Sequence, residues 1–331
     1  MAKKIKQQKP AQQPFRDYCD TWLNVYKKGA IRNRSYDIIE SLLTLHIYPM
    51  LGDLQLGSII KQDLQTLLDN KADTLSLNSL RQIHNILKGI FYYAYSNEDI
   101  ANNLMSDVAF PHYKYSSNQE SKIVVLTEEE QIRLYKAALK RHKNSKLYYR
   151  IGPAVILLLS TGMRIGELFA LKCSNIDLEH KEIFIDSTVS RFINRNDDDK
   201  PRCIFEIHET KTKTGIRTIP LNLWAMHAVT LMQNEIFIEN DRNLLFVNEK
   251  GKIYRRADFA KSFDRLLISA NIEHKSLHSL RHTFTTQMLR ENLDVACLSK
   301  ILGHSSSSTT YSTYVHLLSN DKEDAILSLD M

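Results

Sequence analysis

The stretch FPHYKYSSNQESKIV, Phe110 to Val124, interrupts the pattern on either side of it. It joins a proline to Ser, Asn, Gln and Lys and carries neither helical nor strand periodicity, which is the composition of a connecting segment. Immediately after it, Thr127 and Glu130 stand at the spacing of a capping box, in which the Thr hydroxyl and the Glu carboxylate each satisfy an orphan backbone N–H at a helix start. A connection over 111–125 followed by a new helix divides the 331-residue chain into two domains, 15–110 and 126–331. Residues 1–14, MAKKIKQQKPAQQP, carry four lysines and no apolar segment, and read as a basic flexible tail and not as a signal peptide.

Working upstream, FRDYCDTWLNVYKK (15–28) places Phe15, Tyr18, Cys19, Trp22, Val25 and Tyr26 at helical intervals, with Gly29 as a stop. A second helix is expected from about Ser35 to the neighbourhood of Pro49, a short one from near Lys61, and another from about Asn78 to Tyr95. The first domain is therefore expected to be all-helical. Downstream, LTEEEQIRLYKAALKRH and the apolar YRIGPAVILLLS read as helices, the second too short to span a membrane and suited to a core. KEIFIDSTVSRF and CIFEIHETKTKTGIRTIPL are rich in Ile, Phe, Val and Thr and read as strands, with a hairpin turn expected at Thr214–Gly215; from about Asp258 the pattern is helical again. The fold class is mainly α with a small antiparallel β-sheet.

The net charge is +6, from 44 Lys and Arg against 38 Asp and Glu. It is spread evenly, with 14 basic and 11 acidic residues up to position 115 and 30 and 27 after it, so any nucleic-acid partner must be met by placed cations and not by bulk charge. Cys19, Cys173, Cys203 and Cys297 form no metal-ligand or disulfide spacing. No metal and no cofactor is expected, and the location is expected to be cytoplasmic.

Four short motifs carry charges that are not plain surface filler. In TGMRIGELFAL (161–171), Arg164 and Glu167 lie three apart, either a carboxylate orienting a guanidinium or an ordinary surface pair. In SLHSLRHTFTTQML (276–289), His278 and Arg281 share a helical face beside Leu277, Leu280, Phe284 and Met288, as a shared ligand site or as a packed histidine and a solvated arginine. LGHSS puts His304 after Gly303, a helix stop. ETKTKTGIRTIPL carries Lys211 and Lys213 at strand spacing leading into the turn, as a lysine-bearing hairpin tip or a lysine-blunted edge.

In chain order, Arg164, a hairpin lysine, H-x-x-R at His278 and Arg281, G-H at His304 and then Tyr314 resemble the tyrosine recombinase (phage integrase) family. The resemblance covers 15–110, similar to the family's helical, SAM-like core-binding domain, and 126–331, similar to its mixed α/β catalytic domain with a C-terminal tail at 315–331. It implies that Arg164, Lys213, His278, Arg281, His304 and the nucleophile Tyr314 are catalytic, that Glu167 supports Arg164, and that Lys211 is the alternative to Lys213. Tyr314, ten residues after His304 and followed by Val315 and His316, has the family's offset for the nucleophile; Tyr311, seven after it, does not and reads as a packing or surface residue.

The implied function is site-specific cleavage and rejoining of DNA through a 3′-phosphotyrosine, without a metal, in integration or excision of a phage or mobile element. The alternatives are a stand-alone resolvase or invertase, a type IB topoisomerase-like enzyme, or a non-catalytic DNA-binding module. The implied partners are double-stranded recombination sites, a homotetramer in the synapse and an accessory DNA-bending or excision factor, with no membrane.

Overall fold

The computed structural model describes residues 10–111, 123–195, 202–210, 213–304, 306, 308 and 311, with the backbone alone for Pro10 and Lys213. The chain forms two compact units, Met1–Ser121 with Arg191–Ile204, and Lys122–Ser190 with Phe205–Met331.

The first unit is helical: α1 (Phe15–Trp22), α2 (Asn33–Leu42), α3 (Tyr48–Leu51), α4 (Lys61–Ala72) and α5 (Leu77–Ser96). Helix α1 runs on through a wider π turn at Leu23–Lys27 and ends where Gly29 takes φ +85°. A second π turn, Leu43–Ile47, joins α2 to α3, whose first turn holds Pro49 where no helical N–H is required. The apolar faces meet in a core that includes Phe15, Trp22, Leu43, Leu64, Leu87 and Phe91, with the Phe15 and Phe91 rings stacked 5.5 Å apart.

The second unit opens with α6 (Glu128–Ala138), started by the expected capping box: Glu130 N–H donates to Thr127 Oγ1 at 3.2 Å and Thr127 N–H donates to Glu130 Oε2 at 2.9 Å. Helix α7 (Gly152–Thr161) lies at the centre of this unit, packed against α6, α9 (Leu223–Leu231) and α11 (Leu277–Arg290). Ala154, Val155, Ile156, Leu157 and Leu158 of α7 are all buried, each larger side chain contributing about 1.5–3 kcal/mol of apolar burial. Helices α8 (Ile165–Leu168), α10 (Arg256–Ser269) and α12 (Val295–Leu302) complete the helical part among the described residues.

Five short strands are described. β1 (Ile176–Asp177), β2 (Glu182–Ile185) and β5 (Arg217–Pro220) form an antiparallel sheet in the order β1-β2-β5, and β3 (Ser187–Ile193) pairs with β4 (Cys203–Glu209). The hairpin expected at Thr214–Gly215 is corrected. β4 and β5 belong to different sheets, and Lys213–Gly215 is a single 3₁₀ turn that carries the chain from one to the other. Lys213 therefore sits on a turn and not on a strand face, and Lys211 lies outside the described residues. In the β2–β5 register, Ile183 stands opposite Ile219 and Ile185 opposite Arg217, so Arg217 occupies an inward position of an otherwise apolar layer.

Candidate active site

Helix α7 ends at Gly162, whose φ of +62° lets the chain reverse, and Met163 leads to Arg164 at the start of α8. This turn has no room for a side chain, because a Cβ on Gly162 would come 2.4 Å from Phe284 Cδ1. Arg164 is held by Glu167, one turn into α8. Its backbone N–H donates to Glu167 Oε2 at 2.8 Å and its Nη1 donates to Oε1 at 2.9 Å. The pair is not a surface pair: Glu167 is only 2% exposed, and the Arg164 side chain 38%.

From the far end of the unit, α12 closes with Gly303 at φ +66° and points its last carbonyls at the same place. Arg164 Nη1 donates to Leu302 O and its Nη2 to Gly303 O, both at 3.2 Å. Arg281, buried on α11, donates from Nη1 to Gly162 O and from Nη2 to Leu302 O, both at 2.7 Å. The C-terminal end of a helix carries partial negative charge, which is why guanidinium groups gather there. Arg164 and Arg281, far apart in sequence, are thus both within hydrogen-bond reach of one oxygen.

Arg281 Nη2 also lies 2.8 Å from His304 Nε2. Arginine only donates, so Nε2 accepts and the imidazole proton resides on Nδ1. Burial, followed by the charges of Arg281, Arg164 and Arg217, pushes the His304 pKa down to about 4. His278, in the first turn of α11 with its ring reaching solvent, is lowered as well, first by partial burial and then by Arg256, Arg281 and Arg164. Both rings are neutral at pH 7 and able to accept a proton or a hydrogen bond. Burial alone would raise the Glu167 carboxyl, but Arg217 and Arg164 outweigh it and hold the group below the usual carboxylate range.

Arg217 is the residue that sequence reasoning missed. Its Nη1 and Nη2 donate to Glu167 Oε1 and Oε2 at 3.1 and 2.8 Å, and its Nε donates to Ile301 O. A charged residue in the inward register of an alternating strand was the available signal.

The structure brings Arg164, Glu167, Arg281 and His304 into one hydrogen-bonded cluster, with His278 one turn before Arg281 on α11. For Lys213 it gives the backbone turn alone. Tyr314 and the tail after it lie outside the described residues; Tyr311 is 53% exposed. Among the described residues no group of three His, Cys, Asp or Glu is arranged to hold a metal ion, and no helix is long and apolar enough to cross a membrane.

Residues 124–321 match the model of the phage integrase family, and residues 14–72 match that of the phage integrase N-terminal SAM-like domain. The chain belongs to the phage integrase family. Every cluster residue of this family member, together with Lys213, Arg217 and Tyr314, falls inside the first span. Among its relatives, a tyrosine recombinase XerC-like protein of Caldanaerobacter subterraneus subsp. tengcongensis is 27% identical over 77% of this chain and 66% of its own length. The integrase of Staphylococcus phage L54a is 26% identical over 92% of this chain and 88% of its own. The Tn1549 transposon integrase, solved with transposon right end DNA, shares the fold at a TM-score of 0.74 and 22% identity, covering 96% of this chain and all of that one. A helical SAM-like domain and a mixed α/β catalytic domain with small antiparallel sheets are therefore this family member's architecture, as its sequence implied.

Proposed function

We propose that this phage integrase family member is a tyrosine-type site-specific DNA recombinase that integrates or excises a phage or mobile element. The observation that supports this most directly is the meeting of Arg164 and Arg281 on Leu302 O, since two guanidinium groups that reach one oxygen also reach one phosphate. The near full-length match to a phage integrase favours the mobile-element form over a stand-alone resolvase.

On this reading Tyr314 Oη attacks phosphorus, the phosphorus–O5′ bond breaks, and the enzyme is joined to DNA as a 3′-phosphotyrosine. The tyrosine proton passes to neutral His278, and Lys213 protonates the departing 5′ oxygen; Lys211 is the alternative donor. Arg164 and Arg281 stabilise the extra negative charge of the pentacoordinate transition state, and His304 hydrogen-bonds the phosphate. The reverse attack by the 5′ hydroxyl of another duplex completes strand exchange without a cofactor. The division at 111–125, a tetrameric synapse, an accessory DNA-bending or excision factor and a cytoplasmic location belong to the same reading.

The test is covalent capture on a nicked suicide substrate in excess EDTA. Tyr314→Phe abolishes the adduct and Tyr311→Phe retains it. An adduct formed by Tyr314→Phe, or a strict need for a divalent ion, refutes the scheme.

A further inference from the structure

Arg217 is a buried cation that the proposed chemistry does not use. Its side chain is 5% exposed, and it stands in the same inward row as Ile219 on a four-residue strand. A buried ion pair is a weak source of stability, because an apolar side chain of similar volume generally serves as well. What an apolar residue does not supply is a set of directed N–H groups, and here those groups reach three separate pieces of the site. Nη1 and Nη2 take one oxygen each of Glu167, Nη1 also donates to Gly215 O at 3.2 Å, and Nε donates to Ile301 O. Gly215 ends the Lys213 turn, and Ile301 lies in the last turn of α12, just before the carbonyls that hold Arg164 and Arg281.

The Glu167 carboxylate is filled by this arrangement. Oε1 accepts from Arg164 Nη1 and Arg217 Nη1, and Oε2 accepts from the Arg164 backbone N–H and Arg217 Nη2. A carboxylate offers about four acceptor positions, so once Arg217 takes two of them the plane of the group is set and the direction of Arg164 with it. Gly303 bears the same mark, since a Cβ there would lie 2.9 Å from Arg217 Nη1.

We propose that Arg217 is a positioning residue for strand cleavage: it fixes the Glu167 carboxylate against the ends of the Lys213 turn and of α12, and through Glu167 it aims the Arg164 guanidinium. This rests on the reading of Arg164 as a phosphate-binding residue.

The experiment compares cleavage of a nicked suicide DNA carrying the natural phosphate with cleavage of the same DNA carrying a methylphosphonate at the scissile position. The methylphosphonate is neutral, so its pentacoordinate species carries one negative charge instead of two, which Arg281 meets without an aimed Arg164. Arg217→Met keeps the buried volume and loses the donors. Arg217→Lys keeps the charge without the fork, and serves if the Met variant does not fold. On the natural phosphate, Arg217→Met is expected to cleave on the order of 10²-fold more slowly at saturating DNA, as a misplaced catalytic group would. On the methylphosphonate it is expected to match the parent protein, as Arg164→Ala does.

A loss of equal size on both substrates makes Arg217 a purely structural residue and overturns the assignment, as does unchanged cleavage by both Arg217 variants. If Arg164→Ala recovers on the methylphosphonate and the Arg217 variants do not, the reading of Arg164 stands and the assignment of Arg217 falls. If Arg164→Ala itself does not recover, the phosphate-binding reading falls and this assignment with it.

Discussion

Replacing Glu167 by Gln removes one negative charge from beneath two arginines and changes almost nothing in shape. The cost follows from the burial of each partner. The Arg217 side chain is 5% exposed and loses its counter-ion, a change worth about 3–5 kcal/mol for a buried pair. Arg164 is 38% exposed at its side chain, so solvent screens its share, which adds no more than roughly 0.5 kcal/mol. The Gln carbonyl still accepts a hydrogen bond and returns about 1 kcal/mol. The net expectation is a loss of about 2–4 kcal/mol from the second unit.

Urea unfolding without DNA measures this. The two tryptophans divide between the units, Trp22 in the first and Trp224 in the second, so in a Trp22→Phe background the fluorescence of Trp224 follows the second unit alone. At an ordinary m-value the midpoint falls by about 1–2 M with the slope unchanged. The pH dependence supplies a second constraint. Glu167 is held below its ordinary value in the folded protein. Its contribution is therefore complete above the unfolded value of about 4.3 and is lost as pH falls through the folded value. The gap between parent and Glu167→Gln stays constant from pH 8 to pH 5 and narrows only below the unfolded value of about 4.3. A gap below about 1 kcal/mol at pH 7, the ordinary worth of one hydrogen bond, would refute the reasoning, as would one that closes between pH 7 and pH 5.

Gly162→Ala combines a left-handed backbone at φ +62° with a Cβ 2.4 Å from Phe284 Cδ1; it is expected to destabilise by about 2–4 kcal/mol, read by calorimetry as a fall in Tm of at least about 5 °C. His304, with its pKa lowered to about 4 in the folded protein, contributes stability that is complete above pH 6.5 and is lost as pH falls from there toward 4. Urea midpoints measured across that window should fall more steeply for the parent than for His304→Gln, by up to about 3 kcal/mol in all. Deleting residues 320–331 is expected to leave binding to a single half-site nearly intact while weakening cooperative pairing and strand exchange, checked by gel shift on half and full sites. A deletion that lowers the Tm of the DNA-free protein without changing cooperativity assigns the tail to its own domain instead.

What was legible in the sequence was local. The periodicity of α1 and α5, the Thr127–Glu130 box and the helix stop at Gly303 all rest on residues within about one helical turn of each other. The Arg164–Glu167 pair was legible for the same reason, although its burial was not. Arg217 was missed because its partners Glu167 and Ile301 are 50 and 84 residues away. The turn at Thr214–Gly215 was read from good turn residues, but turn chemistry says that the chain bends and not which strands then pair. β5 finds its partner in β2, on the far side of β3 and β4.

The cluster holds three arginines and one carboxylate, which pairs with two of them, Arg164 and Arg217. Arg164, Arg217 and Arg281 against Glu167 leave a surplus of two positive charges, and the histidines add none at pH 7, because burial first and neighbouring arginines second lower both His278 and His304. Among the described residues, the carbonyls of Gly162, Gly215 and the end of α12 set partial negative charges against these arginines. A phosphodiester brings one negative charge. The pentacoordinate species of the proposed reaction carries one more, so the site matches the transition state better than the substrate, which is the condition for accelerating the step and not merely binding DNA. A second carboxylate would have cut the surplus to one, which matches the charge of the substrate and not that of the transition state. On the proposed reading Glu167, itself held by Arg217, orients Arg164 and compensates one cation, which leaves two positive charges for the phosphate.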